Sequence, residues 1–308
     1  MHVKIEHYPN KKGCIDQYHQ IRDFLIEIED TEYSFARWDW MITHSMTKAE
    51  DLDKIALWKE EGRIVGLVIF DIVPDMVFIR TLKTHKHLRQ AMVEYAMENF
   101  VVGQMVKIMI QDDDRDLQSV VYKNGFKPSN HKEFTSILLV DETSIDYDIP
   151  NVFKMVSLKE APSVYQYYRL FWRGFNHELE GEGPYQHSDK KEKEGKQEIF
   201  RENNRLDHKI IIQNEKGDHI CFCGLWYDHK LDFAIVEPLA TDPDYRRLGL
   251  AKACMYEGIK RVKKEGAKRI IVNTSKQFYY NRGFRPYRTQ TLWEKKIIRP
   301  KEKELSTK

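Results

Sequence analysis

One short phrase occurs twice in this chain, and that repetition limits the folds open to it more than any other feature. YKNGFKP at 122–128 returns as YNRGFRP at 280–286. A repeat at so long a separation means that one supersecondary plan is used twice.

The order of elements ahead of each phrase carries the same message. In the first half an apolar run at Ile55–Trp58, a Glu61-Gly62 turn and a strand pattern at Ile64–Phe70 predict a hairpin; in the second, Ile210–Ile212, Lys216-Gly217 and Ile220–Tyr227 predict its counterpart. Each hairpin is followed by a further strand, at Val77–Ile79 and Phe233–Val236. A helix comes next. Leu88, Met92, Tyr95 and Ala96 fall on one face of the first, and Ala251, Cys254, Met255, Ile259 and Val262 on one face of the second. Gly103 and Gly266 stand where a left-handed cap is expected. Strands at Val106–Ile110 and Arg269–Val272 lead into the repeated phrase, and a last strand follows at Phe134–Val140 or Thr289–Ile298. The expected fold class is mixed α/β, a mainly antiparallel sheet with flanking helices, built as two similar domains in tandem. The polar stretch DETSIDYDIP at 141–150 places the boundary, giving domains 1–145 and 146–308. Residues 188–205, SDKKEKEGKQEIFRENNR, read as a solvated charged helix or loop, and 299–308 as a polar tail.

Composition excludes several classes. With 50 Lys+Arg against 48 Asp+Glu, the 308 residues lack the basic excess of a dedicated nucleic-acid binder. No run approaches the length of apolar sequence that a membrane span needs, and MHVKIEHYPN at the N-terminus has no apolar leader core, so the expected location is cytoplasmic with no membrane partner. Cys14, Cys221, Cys223 and Cys254 show no paired spacing that closes a zinc site, and no metal is expected.

The second half has one stretch that points to a ligand, YRRLGLAKA at 245–253. The first amides of a helix lack intrahelical acceptors, and the helix dipole makes that end an anion site. Gly249 permits a close approach, Ala251 keeps the first turn open, and Arg246 and Arg247 supply charge-assisted donors. Asp242-Pro243-Asp244 provides the entry turn. Just upstream, Glu237-Pro238 lies inside a strand pattern, and proline there implies a bulge or broken ladder that opens a cleft beside the loop.

Arg246-x-x-Gly249-x-Ala251, preceded by LATDPDY, resembles the pyrophosphate loop of the GNAT N-acetyltransferase superfamily, and FYYNRGF at 278–284 is similar to that family's later FYxxxGF signature. The resemblance covers Cys221–Trp293. The first half looks like the same fold with an eroded loop, since TLKTHKHLRQ at 81–90 contains no glycine. The resemblance implies an acetyl-CoA-dependent N-acetyltransferase acting by direct attack, with acetyl-CoA as co-substrate. Glu237 would be the base that takes the ammonium proton, Leu239 would polarise the acetyl carbonyl through its N–H, and Thr241 would meet the pantetheine or pyrophosphate. Arg246, Arg247, Leu248, Gly249, Leu250 and Ala251 would hold the pyrophosphate and Asn273 the cofactor arm. Tyr279 would return a proton to the thiolate, with its neighbour Tyr280 open as the alternative.

The acceptor is an unidentified small-molecule amine. The stretch FWRGFNHELEGEG at 171–183, with three glutamates among glycines, suits a cationic one. His177 and the pair His85/His87 lack a second ligand at helical spacing and read as hydrogen-bonding histidines. Trp38, Trp40 and Met41 read as packing, or as a cap on an acceptor cleft. Two other functions share the fold: a non-catalytic CoA-binding or partner-binding module, and a transferase that uses aminoacyl-tRNA.

Overall fold

The protein is described by a computed structural model over residues 2–297. Its elements in chain order are β1 Lys4–His7, α1 Asp16–Glu27, α2 Phe35–Met41, β2 Ala56–Glu60, β3 Arg63–Asp71, β4 Val73–Thr81, α3 Arg89–Asn99, β5 Met105–Gln111, α4 Arg115–Lys123 and β6 Lys127–Leu139. The second half follows with β7 Lys154–Ser157, α5 Val164–Gly174, α6 Asp189–Ile199, β8 Lys209–Gln213, β9 His219–Tyr227, β10 Phe233–Thr241, α7 Leu250–Lys264, β11 Arg269–Val272, α8 Gln277–Tyr280 and β12 Arg285–Lys296. The repeated plan expected from the sequence is present in both halves. The last-strand expectation at Thr289–Ile298 is met as far as Lys296; Ile298 and the tail at 299–308 lie outside the described residues. Among those described, no helix is long and apolar enough to cross a membrane.

Packing divides the chain into two compact units that do not follow a single cut at 145/146. One gathers the described residues of 1–12, 46–133 and 289–308, the other 13–45 and 134–288. The reason lies in which surfaces find partners. α1 and α2 pack in the second unit, where Arg22 reaches Asp228 at 2.9 Å, and β12 pairs antiparallel with β5 from Gln290↔Gln111 to Lys296↔Met105 in the first. Local pattern cannot signal such an exchange, because each element keeps the same face whichever unit it joins.

In the first unit the strands run β1-β2-β3-β4-β5-β12, antiparallel except for β4 and β5. The turn Lys83–Leu88 ahead of α3 holds no left-handed residue. Arg89 at the start of that helix is buried and forked onto Asp114 at 2.7 and 2.8 Å, so an ion pair sits where a phosphate loop would need open amides. Gly103 is not the cap of α3, which ends at Asn99; it shares the next turn with Gln104, both at positive φ.

In the second unit the strands run β6-β11-β10-β9-β8-β7. β10 and β11 are parallel and pair only over Phe233↔Arg269, Ala234↔Ile270 and Ile235↔Ile271. Residues beyond Val236 therefore have no partner on that side among the described residues, and the sheet opens there. α7 covers one face, burying Cys254, Met255, Ile259 and Val262 against Ile210, Cys223 and Leu225, and Gly266 ends it at φ 115°. α5 and α6 cover the other, where Leu170 and Ile199 pack on Phe222. The charged segment at 188–205 is thus only partly solvated: Glu198 is buried and accepts from Tyr167 and Tyr168. Trp38 is fully buried and donates to the Tyr18 carbonyl, so the aromatic cluster of α2 includes core residues.

Candidate functional site

The site forms where β10 leaves β11. The ladder between β10 and β9 slips between Val236 and Leu239, the irregularity that Pro238 requires, since it has no N–H to donate. Gly224 on β9 makes room for it, because a Cβ there would collide with the Glu237 carbonyl oxygen. That oxygen accepts the Trp226 indole N–H at 2.6 Å. The Glu237 side chain is exposed.

Past Thr241 the chain turns through Pro243–Tyr245 into the loop. Arg247 and Gly249 take φ of 66° and 81°, and this left-handed pair turns the backbone into α7. Ala253 is the first amide of that region with a helical acceptor, Gly249 O at 3.1 Å. Among the described residues the amides from Arg247 to Lys252 have no acceptor, which leaves the N-terminus of a 15-residue helix free to receive an anion. A cavity of about 430 Å³ opens against it, lined by Leu239, Thr241, Arg246, Arg247, Gly249, Leu250, Ala251 and Tyr279 among others. Its charged lining residues are Arg246, Arg247, Lys252, Lys276 and Arg282; no Asp or Glu is among them.

Eight of the eleven residues singled out in the sequence thus meet in one cavity. Three do not. Leu248 is exposed outside it. Asn273 donates to Thr31 O at 3.0 Å and to Thr135 Oγ1 at 3.1 Å, a tie at the strand end, and is not among the lining residues. Glu237 lies beside the cavity without lining it. Of the two tyrosines, Tyr279 is buried and lines the cavity, while Tyr280 is half-buried and is not among the lining residues. Burial pushes the Tyr279 phenol above the usual tyrosine range, with Cys223 and Glu237 adding to the effect.

Arg246 lines the cavity and also holds the loop in place. Its guanidinium donates to Thr241 O, to Gly174 O at 2.9 Å and to Asn176 Oδ1 at 2.7 Å, tying the loop to the end of α5. Beside it Arg173 forks onto Asp242 at 2.7 and 3.0 Å, reaches Asp244 at 2.7 Å and takes Glu178 at 2.5 Å. Asp242 is buried, and its carboxylate also receives the Asp244 amide, so this clamp fixes the entry turn. Sequence reading missed Arg173, Lys252, Lys276 and Arg282, whose only signal was position in the fold. Of the three glutamates in 178–182, Glu178 is paired with Arg173 and Glu182 with His177.

Asp207, His208 and Glu265 also converge. Arg205 already donates to both carboxylates, at 2.7 and 2.9 Å, and supplies the positive charge that a metal would bring.

Comparison with known proteins agrees with this geometry. Residues 164–284 match the Acetyltransferase (GNAT) family model. No curated protein matches in sequence. Among solved structures, a tandem GNAT protein from the clavulanic acid biosynthesis pathway is similar over 97% of this chain and 100% of its own, with TM-score 0.58 and 10% identity. A GNAT-family acetyltransferase from Colwellia psychrerythraea aligns over 94% and 98%, with TM-score 0.55 and 10% identity. A GCN5-related N-acetyltransferase from Sphaerobacter thermophilus aligns over 97% and 96%, with TM-score 0.53 and 12% identity. At such identities these neighbours speak for the fold alone. The chain thus has the fold of tandem GNAT proteins, and the stretch that matches the GNAT family model, 164–284, contains the loop, the cavity lining and α8.

Proposed function

We propose that the second unit transfers an acetyl group from acetyl-CoA to the amine of a small molecule. The observation that carries the reading is the cavity at the start of α7, with five basic side chains and no acidic one set around amides that have no acceptor. A pyrophosphate fits such a site, because each free amide gains an anionic acceptor and the basic side chains around it offset its charge. Acetyl-CoA, when bound, supplies the activated acyl group.

The chain's own residues meet the remaining demands. Leu239 lies on the part of β10 with no partner on the β11 side, which leaves that edge open for its N–H to polarise an acyl carbonyl. Glu237, one turn of the bulge away, takes the proton of an amine that arrives as a cation, directly or through water. Tyr279 holds a proton at its phenol oxygen inside the cavity and delivers it where a thiolate departs; burial keeps that proton in place until then.

The test is calorimetric titration with acetyl-CoA followed by thiol-release assays over a panel of amines. Wild type binds, Arg246→Ala and Arg282→Ala bind at least tenfold more weakly, and Glu237→Gln and Tyr279→Phe bind normally but turn over more slowly. Tyr280→Phe serves as the control. Failure of the wild type to bind acetyl-CoA would end the proposal.

A further inference from the structure

On the face of the sheet covered by α5 and α6, two cations gather around one indole. The Lys209 ammonium lies 3.3 Å from the centre of the Trp226 ring, and the Arg201 guanidinium 5.0 Å from it. Among the described residues, neither has a carboxylate within ion-pair distance. Lys209 is 3% exposed and spends one of its three donors, on Leu225 O at 2.9 Å. Arg201 donates through one terminal nitrogen to Thr43 Oγ1 and to the Glu198 carbonyl, while its Nε is buried with no acceptor.

The nearby carboxylates are already engaged. Asp39 accepts from Tyr18 at 2.5 Å and from Arg22 at 3.1 Å, and Arg22 is shared with Asp228. Glu198 accepts from Tyr167 and Tyr168. A guanidinium and a buried lysine with unspent donors forgo hydrogen bonds, and charging the lysine beside the guanidinium is opposed, an arrangement that an anion would reverse on both counts. Burial and the charge of Arg201 hold the Lys209 ammonium well below its usual range, against the pull of Asp39, Cys223 and Glu237.

The position relates this pair to the chemistry. The same indole donates its N–H to the Glu237 carbonyl, so the cations stand one ring away from the strand bulge where the amine is to be deprotonated. We propose that Arg201 and Lys209 form the anion-binding corner of the acceptor site, so that the amine acetylated beside Glu237 also carries a carboxylate or a phosphate. The inference rests on the acetyl-transfer reading and gives its acceptor a chemical class: amino acids, or phosphorylated amines of similar size. Thr43, contributed by the segment after α2, makes the 13–45 region part of that corner.

The experiment reads the Arg201 Nε–H resonance in ¹⁵N-labelled full-length protein, assigned with Arg201→Lys. Three probe series are titrated: N-acetyl amino acids, N-acetyl-O-phosphoethanolamine, and the neutral amides of the same N-acetyl amino acids. A saturable shift with at least one anionic probe, absent with the neutral amides and weakened tenfold or more in Lys209→Met, supports the assignment; which anionic series acts tells carboxylate from phosphate. No shift with any anionic probe, or equal shifts with the neutral amides, overturns it. Acetyl-CoA calorimetry on the same samples is read separately. Loss of cofactor binding there counts against the transferase reading, whereas a silent Arg201 beside normal cofactor binding counts against the acceptor assignment alone. Circular dichroism of Lys209→Met guards against unfolding, and Lys209→Arg, which keeps the charge, restores the response.

Discussion

Replacing Gly249 with alanine separates what the loop costs the fold from what it gives the ligand. Gly249 sits at φ 81°, and a Cβ built on it meets nothing within 4 Å. The penalty inside the chain is then backbone strain alone, about 1–2 kcal/mol for a non-glycine residue in the left-handed region. For a unit in the range of about 150–250 residues, each kcal/mol moves the midpoint by about 2–4 °C, so Tm should fall by roughly 2–8 °C. A domain stable by about 5–15 kcal/mol remains folded at 25 °C. The ligand loses more. The methyl group projects into the space where a phosphate would approach the amides, and one displaced charge-assisted hydrogen bond is worth about 1.5–3 kcal/mol, or about 10- to 100-fold in Kd. Differential scanning fluorimetry gives the first quantity and calorimetric titration with acetyl-CoA the second. A Kd within threefold of wild type would refute the loop as the anion site, and an unchanged or raised Tm would refute the left-handed geometry at 249.

Other consequences of the structure are as direct. Breaking the fork between Arg173 and the buried Asp242 carboxylate with Asp242→Ala should lower stability by about 1–3 kcal/mol, since it takes a bidentate acceptor from a part-buried guanidinium that keeps Asp244 and Glu178, and leaves the Asp244 amide without its acceptor. A double-mutant cycle with Arg173→Ala checks the coupling, and additivity within about 0.5 kcal/mol would show that the two act independently. Gly224→Ala forces a methyl against the Glu237 carbonyl and should cost about 1–3 kcal/mol in denaturant unfolding; an unchanged midpoint would mean the bulge does not press on β9 there. His219, 2% exposed, is held by burial at a pKa of about 4 in the folded protein. Its unfolded value is about 6.5, so the unfolded chain binds the proton first. Its contribution is therefore whole above about pH 6.5 and is lost as pH falls through 4, with a total of roughly 3 kcal/mol. Melting curves at pH 7 and pH 4.5 for wild type and His219→Leu should show a smaller acid loss in the variant, and equal losses would discount the residue.

How much of this was legible beforehand differs from residue to residue. The repeated YxxGF phrase and the two hairpins were readable because strand alternation, turn glycines and helix faces are local properties. Gly249 and Pro238 were readable for the same reason: each has a backbone limit that acts on its immediate neighbours, a positive φ in one case and a missing donor in the other. Even a local rule failed at Gly103, where the helix ended at Asn99 with Phe100 as its cap and the glycine served the next turn.

The sequence by itself determined the order of elements, the bulge in β10 and the presence of one loop able to take an anion. Only the tertiary structure decided which surfaces that order brings together. It placed α1 and α2 with the second unit, set Lys252, Lys276 and Arg282 around the cavity, and gave Arg246 to the end of α5. It also left Arg201 and Lys209 beside one indole with no carboxylate within ion-pair distance among the described residues, though the sequence as a whole nearly balances its charges. The physical reason is range. Dihedral limits and periodicity act over a few residues, while charge compensation and packing depend on neighbours that lie close in space and far apart in the chain.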